Sequence, residues 1–366
     1  MSRPRVLFVG RTRYRLPLEG GLERKFDALG QELEVRVLGS AVRGSPTGDA
    51  TFTLVPPLRF GPLDGLVFWL ALPRRIARLL GVFRPDAVVC QTAYEAAAAL
   101  LARRLARVPA RIVVEVHGDW RTSTRLYGSG FRRALARIGD ALAAVALRRS
   151  DAVRTVSPFT TRLVRELGVE ATADFPAYMD LEPFVAPARP LGQEPVALFV
   201  GVLEAYKNVD GLAAAWRLAA PRLPDASLRI VGKGSRSEIA AALVREHGVC
   251  WDPELPAVDV AQALDDAWVL VLPSRSEGMG RVLVEAFCRG RGVVGTRAGS
   301  IPDLVADGVS GLLVDPDDPA ALADALVRVL SNRALAEQLS DGARGAAAPW
   351  LQTPEEYARR MRELVA

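Results

Sequence analysis

Histidine is the scarcest of the residues that do chemistry here. The 366-residue chain has only 2, His117 and His247, which argues against a His-ligated metal centre. Cysteine is nearly as rare. Cys90, Cys250 and Cys288 are far apart and each lies in an apolar run, so they read as reduced core residues rather than as disulfides or a zinc site. No apolar run approaches the roughly 20 residues that a bilayer-crossing helix needs. The stretch from Val6 to Gly10 is too short for a signal-peptide core, so the expectation is a cytoplasmic chain. A base-reading motif, a basic-aromatic repeat and an internal period are all missing, which removes nucleic acid and solenoid readings.

What is present is ample apolar material. Half of the residues are hydrophobic, and 366 residues are too many for one ordinary core and suit two α/β domains. Charge is unevenly spread. Up to about residue 185 there are about 28 basic and about 18 acidic residues, and beyond it about 19 and about 24. A basic front half points to an anionic partner such as a membrane surface or an anionic acceptor, unless an arginine-rich genome alone explains it.

The most informative stretch runs from Pro273 to Gly299. The apolar run from Trp268 to Leu272 reads as a buried strand that stops at Pro273, and residues 282–288 have helical spacing. Gly278 and Gly280 fall where that helix should begin. First-turn amides lack partners within a helix, so they can receive phosphate oxygens, and glycine admits a ligand to the backbone. Glu277 and Glu285 flank this anion seat, eight residues or roughly 12 Å apart at the helical rise. That is the reach from a sugar, across a diphosphate, to a ribose, and carboxylates accept hydrogen bonds from the hydroxyls that both present. On spacing alone, a capped helix with one exposed glutamate remains the blander alternative.

Glu277-Gly-Met-Gly with Glu285 resembles the E-x7-E motif of retaining glycosyltransferase family 4, which has the GT-B fold. Gly299-Ser-Ile-Pro-Asp-Leu-Val and Asp307-Gly-Val-Ser-Gly-Leu-Leu-Val are similar to the same family, and the block runs without a gap from Val269 to Val314. The resemblance implies an α/β chain of two Rossmann-like domains with parallel sheets facing across a cleft. Its expected boundaries are an acceptor-side domain over 1–182, a Pro-rich linker over 183–195, a nucleotide-sugar domain over 196–348, and a last helix over 349–366 crossing back to the first domain.

Earlier segments fit that plan. A strand over 5–10 opens onto a loop, and a helix starts near Leu22 with Phe26 and Leu29 on one face. Gly20 and Gly21 resemble the family's first-domain glycine loop, although Gly-Gly is also an ordinary turn. Leu66 to Leu80 reads as a core-packing helix broken at Pro73, with a membrane-lying helix anchored by Trp69 as the second reading. His117 ends the strand from Arg111 to Val116, pointing to a ligand crevice. The family has a histidine beside the transferred sugar, and Asp119 is a weaker candidate beside it. Gly201 and Lys207 resemble the donor-phosphate loop, where the family places an arginine and a lysine on the diphosphate. Val202 stands at the arginine's position, so either Arg275, Arg281 or Arg236 reaches in or leaving-group stabilisation is weak.

The resemblance thus implies transfer of a sugar from a nucleotide-diphosphate sugar to an acceptor hydroxyl with retention. His117, Glu277 and Lys207 would carry the chemistry. Gly20, Gly21, Gly201, Lys207, Gly278, Met279, Gly280, Arg281, Val282 and Glu285 would hold the donor. No metal or cofactor is expected. The partners would be the nucleotide-sugar, a glycan, lipid-linked or small-molecule acceptor, and peripherally an anionic membrane. A catalytically silent nucleotide-binding module on the same scaffold is the alternative, because Val202 replaces a charge. A glycosidase fits less well, since it has no diphosphate to hold, and without the Rossmann glycine spacing a nicotinamide oxidoreductase is remoter still.

Overall fold

The computed structural model describes residues 3–57, 61–122, 130–187 and 189–366. The chain divides into two compact units. One takes the chain up to Trp120, Ala134–Asp180 and Gln352–Ala366, and the other is built on Leu181–Leu351.

The first unit is organised around short apolar runs that are buried on both faces, the signature of parallel strands covered by helices. Its strands are β1 (Arg5–Tyr14), β2 (Glu34–Ala41), β3 (Phe52–Val55), β4 (Ala87–Cys90), β5 (Arg111–Val116), β6 (Ala152–Thr155) and β7 (Ala173–Asp174). They form one parallel sheet in the order β3-β2-β1-β4-β5-β6-β7. Helix α1 (Gly20–Glu32) packs on one face. Helices α2 (Gly61–Phe83), α3 (Ala93–Ala106), α4 (Gly130–Arg149) and α5 (Pro158–Arg165) share the core of the other. Ser157 opens α5 with a reciprocal capping box to Thr160.

Two expectations need correction here. The first strand does not stop at Gly10; after an irregularity it pairs again through Arg13 and Tyr14 with Ser40 and Ala41. Nor does Pro73 break α2, which runs through it. The missing amide costs about 3 kcal/mol. Phe68, Leu72, Ile76 and Leu80, spaced four apart and nearly inaccessible, each contribute roughly 1.5–3 kcal/mol by burial and outweigh it.

The second unit repeats the plan with β8 (Val196–Val200), β9 (Ser227–Val231), β10 (Val249–Asp252), β11 (Val269–Leu272), β12 (Gly292–Thr296) and β13 (Gly311–Val314). These are parallel, in the order β10-β9-β8-β11-β12-β13. Its helices are α6 (Val209–Ala219), α7 (Ser237–Leu243), α8 (Ala257–Asp266), α9 (Arg281–Cys288), α10 (Ile301–Leu304), α11 (Pro319–Leu330) and α12 (Arg333–Arg344). Trp216, Leu326 and Leu339 are among the side chains that fill the core shared by α6, α7, α11 and α12. Cys250 is not a core residue. It lies on the edge strand β10 with its side chain outward, whereas Cys90 is buried and Cys288 half-buried.

The Pro-rich segment before β8 is not a loose tether. Phe184 and Leu191 are buried in the second unit, and the fully buried Arg291 guanidinium donates to the carbonyls of Arg189, Leu264 and Asp265 at 2.8–2.9 Å. Arg333 ties the same segment through the carbonyls of Leu191 and Gly192. One arginine with several backbone acceptors satisfies a segment that has no ladder of its own. The last helix, α13 (Pro354–Val365), belongs to the first unit and packs on α1 through Tyr357, Met361, Leu364 and Val365.

Candidate active site

In the second sheet, β8 and β11 are neighbours, but their outgoing helices lead in opposite directions, α6 toward β9 and α9 toward β12. Such a reversal opens a crevice beyond the carboxyl ends of the two strands. Lys207, after β8, and Glu277, after β11, meet in it: Lys207 Nζ donates to Glu277 Oε1 at 2.5 Å. Both side chains are buried.

Glycines make this meeting possible. A Cβ on Gly232 would stand 1.9 Å from the Gly201 carbonyl oxygen, and one on Gly234 would stand 2.4 Å from the Leu203 carbonyl. Lys207 ends a 3-10 turn over Ala205–Lys207, and Asn208 then takes a left-handed conformation and caps α6 through the Gly211 amide. On the other side, a Cβ on Gly299, whose φ is +58°, would lie 2.2 Å from the Glu277 carbonyl oxygen. The Ser300 amide donates to that carbonyl at 3.0 Å, and Thr296 Oγ1 to the Ser274 carbonyl at 2.5 Å. Ser274 Oγ donates to Glu277 Oε1 at 2.7 Å. Both of these bonds to the carboxylate fall on Oε1.

Gly280, with φ +65°, is the N-cap of α9, and no side chain caps that helix. Gly278 and Met279 are half-buried in the turn before it. Val282, the second residue of α9, is buried. Arg281 is exposed, and its Nε donates to Glu285 Oε1 at 2.6 Å, one helical turn on. Burial pushes the Glu285 carboxyl up; Arg281 and Lys207 oppose that without cancelling it. The N terminus of an uncapped helix, a buried lysine and two acids around it make an anion seat with hydroxyl acceptors at its margins.

Sequence reasoning missed two serines. Ser274 fixes the Glu277 carboxylate. Ser300 Oγ is buried without a hydrogen-bond partner among the described residues, 3.9 Å from where a Gly280 Cβ would stand. Neither carries a signal beyond its place next to a motif glycine or proline. Of the three arginines that could replace the charge missing at Val202, Arg275 is engaged by Asp210 and Asp317 at 2.6–3.0 Å and Arg281 by Glu285. Arg236 forms no ion pair among the described residues. Its amide donates to the Leu203 carbonyl, which sets it next to the exposed Val202.

Gly20, Gly21 and His117 lie in the first unit. Gly20 begins α1 with φ +59° and open space around it, whereas a Cβ on Gly21 would stand 2.4 Å from the Asp180 side chain, itself paired with Arg24. His117 follows β5 and is partly exposed, its Nε2 3.3 Å from Glu115 Oε2. Glu115 is buried and pairs with Arg154, its cross-strand neighbour on β6. Arg154 is fully buried, donates to the carbonyls of Phe175 and Pro176, and lies over the Phe175 ring at 4.1 Å. Burial alone would raise the Glu115 carboxyl, but Arg154, His117 and Lys25 together hold it down at about 2. Burial pulls the Lys25 amine down. An acid in one apolar run and a base in the next were a legible hint of this pair.

Two doubly wound parallel-sheet units, one with a buried lysine–glutamate pair beside an uncapped helix start at its switch point, define an α/β protein of two Rossmann-like units. Residues 20–173 match the glycosyl transferase 4-like domain, and residues 185–346 match the glycosyl transferases group 1 family. The chain belongs to these glycosyltransferases, with the GT-B fold. It is similar to D-inositol 3-phosphate glycosyltransferases of Corynebacterium diphtheriae (36% identity, covering 39% of this chain and 36% of the relative) and Frankia alni (34%, covering 46% and 45%). The chain thus spans less than half the length of the curated relatives it matches. In fold it resembles the sucrose-phosphate synthase of Thermosynechococcus elongatus (TM-score 0.78, 19% identity, 99% of this chain and 98% of that one). It also resembles an Anabaena protein solved with UDP and glucose (TM-score 0.67, 17% identity, 99% of both).

Proposed function

We propose that the chain moves a sugar from a nucleotide-diphosphate sugar to an acceptor hydroxyl with retention at the anomeric carbon. The observation that carries this is the buried Lys207–Glu277 pair at the switch point, beside the uncapped start of α9. The diphosphate would settle on the α9 amides with Lys207 beside it. Glu277 Oε2 would take sugar hydroxyls and Glu285 the ribose. His117 would act on the reacting sugar, the role that the family resemblance implies for it.

In this reading the acceptor oxygen attacks the anomeric carbon from the face that the diphosphate leaves. The carbon–oxygen bond to phosphate breaks, its electron pair passes to that phosphate oxygen, and the acceptor proton follows it there. Charge builds on the leaving diphosphate, so fixed cations and amides lower the barrier. The reaction needs no metal or cofactor, and the acceptor is a glycan, a lipid-linked sugar or a small hydroxylated molecule handled in the cytoplasm.

The test is turnover against a panel of nucleotide-diphosphate sugars. Glu277→Gln is expected to remove transfer and keep the fold, and Lys207→Ala to weaken nucleoside-diphosphate binding. Unchanged turnover in the first variant defeats the site assignment. Retained nucleotide binding with no transfer or hydrolysis of any donor leaves the silent module.

A further inference from the structure

Three of the four helices on one face of the first sheet have unusually apolar outward sides. On α2 the exposed stripe carries Val67, Leu70 and Val82, with Arg74 and Arg78 between them. On α3 it carries Leu101 and Leu105, with Arg104 beside them. On α4 Ile138, Leu142 and Val145 recur at helical spacing and face solvent, flanked by Arg137 and Arg149. Leu70 is 70% exposed, Leu105 62% and Ile138 67%.

The three helices are neighbours. α2 packs along α3, Tyr94 of α3 stacks edge-on with Trp69 of α2, and its hydroxyl would be 3.4 Å from a Cβ on Gly139 of α4. Trp69 is half-buried against the neighbouring helix. Among the described residues the acids of these helices are withdrawn from the stripes: Glu95 is buried and Asp140 half-buried. Arg74, Arg78, Arg104, Arg137 and Arg149 form no ion pair among the described residues. At the C-terminal end of α3, Arg104 and Arg107 also rim an open hollow of about 860 Å³.

A soluble face normally mixes both signs of charge and scatters its apolar residues singly. Apolar side chains with arginines and no facing carboxylate are what a helix needs to sit at headgroup depth, its leucines among acyl chains and its guanidinium groups on phosphates. No helix among the described residues is long and apolar enough to cross a membrane, so such a contact would lie on the surface. We propose that the outer face of α2, α3 and α4 docks the chain on an anionic lipid bilayer. The contact holds the first unit flat on the headgroups, and it requires no donor.

The experiment is co-sedimentation of the full chain with vesicles of phosphatidylcholine alone and of equimolar phosphatidylcholine and phosphatidylglycerol. The chain is expected to sediment with the mixed vesicles, to stay free of the neutral ones, and to release as salt is raised. Leu70→Ser/Leu105→Ser/Ile138→Ser and, separately, Arg74→Gln/Arg104→Gln/Arg137→Gln should each lower the bound fraction about tenfold with unchanged thermal unfolding. These side chains are exposed, so folding is spared. Equal binding to both vesicles, binding to neither, or full binding by both variants overturns the proposal. So does a concentration-dependent dimer in light scattering that the serine variant abolishes, since the face would then belong to a second copy. Donor turnover in solution is unaffected by either variant, which separates this outcome from the fate of the transfer reaction.

Discussion

Glu285 is a buried carboxyl whose ion-pair partner, Arg281, is half in solvent. Its raised pKa means that folding disfavours the charged form, so Glu285 costs stability at neutral pH and the cost is relieved as pH falls. Glu285→Gln is therefore expected to leave the melting temperature unchanged or higher while weakening nucleotide binding; Arg281, exposed, resolvates easily. Thermal melts with and without nucleoside diphosphate check both halves. Glu115 has the opposite sign. It is depressed from its ordinary 4.5 to about 2, so its stabilisation is present above pH 4.5 and is lost as pH falls toward 2. Glu115→Leu alone should cost about 3–5 kcal/mol by stranding buried Arg154, and Glu115→Leu/Arg154→Leu far less. Urea unfolding at pH 7 and pH 3 should show the wild type losing more stability between the two than the double variant. An equal loss would show that this pair does not carry the acid sensitivity. Arg236→Ala addresses the charge absent at Val202. If Arg236 neutralises the leaving diphosphate, kcat should fall roughly tenfold or more with little change in KM.

At the scale of elements, what holds Glu277 is the left-handed glycine of the neighbouring loop. Gly299→Ala puts a methyl against the Glu277 carbonyl in a backbone conformation that alanine resists, at a cost of roughly 1–3 kcal/mol. Turnover should fall with stability, because the carboxylate moves with its backbone. Gly30→Ala, in open space within α1, should instead stabilise by about 0.5–1 kcal/mol and leave turnover alone. Matching stability changes in the two would refute the packing argument. The legible elements were those whose apolar period agreed with their ends. Gly280, which falls where the helical spacing begins, marks the start of α9. The extension of β1, the unbroken α2 and the docked segment around Leu191 were not legible, because distant partners decide them: Ser40, the sheet-facing core, and Arg291. The motif glycines and acids were legible at the site. The Lys207–Glu277 bond and the two serines were not, since residues 70 apart in sequence meet only when two parallel strands become neighbours.

The chain as a whole is two α/β units with separate cores, and the proposed donor contacts Lys207, Glu277 and Glu285 all belong to the second. Ligand binding stabilises only the fold that binds, by about 2.7 kcal/mol at a hundred times Kd. Calorimetry should therefore show two transitions, with nucleoside diphosphate raising the midpoint of one. Variants assign them. Gly299→Ala destabilises the second unit. Deleting Pro354–Val365 strips Tyr357, Met361, Leu364 and Val365 from the first core and should lower the other transition. The transition raised by nucleotide is expected to be the one lowered by Gly299→Ala. If nucleotide instead raises the transition sensitive to the α13 deletion, the diphosphate binds in the first unit, and the Lys207–Glu277 pair is only a structural ion pair in a tight turn.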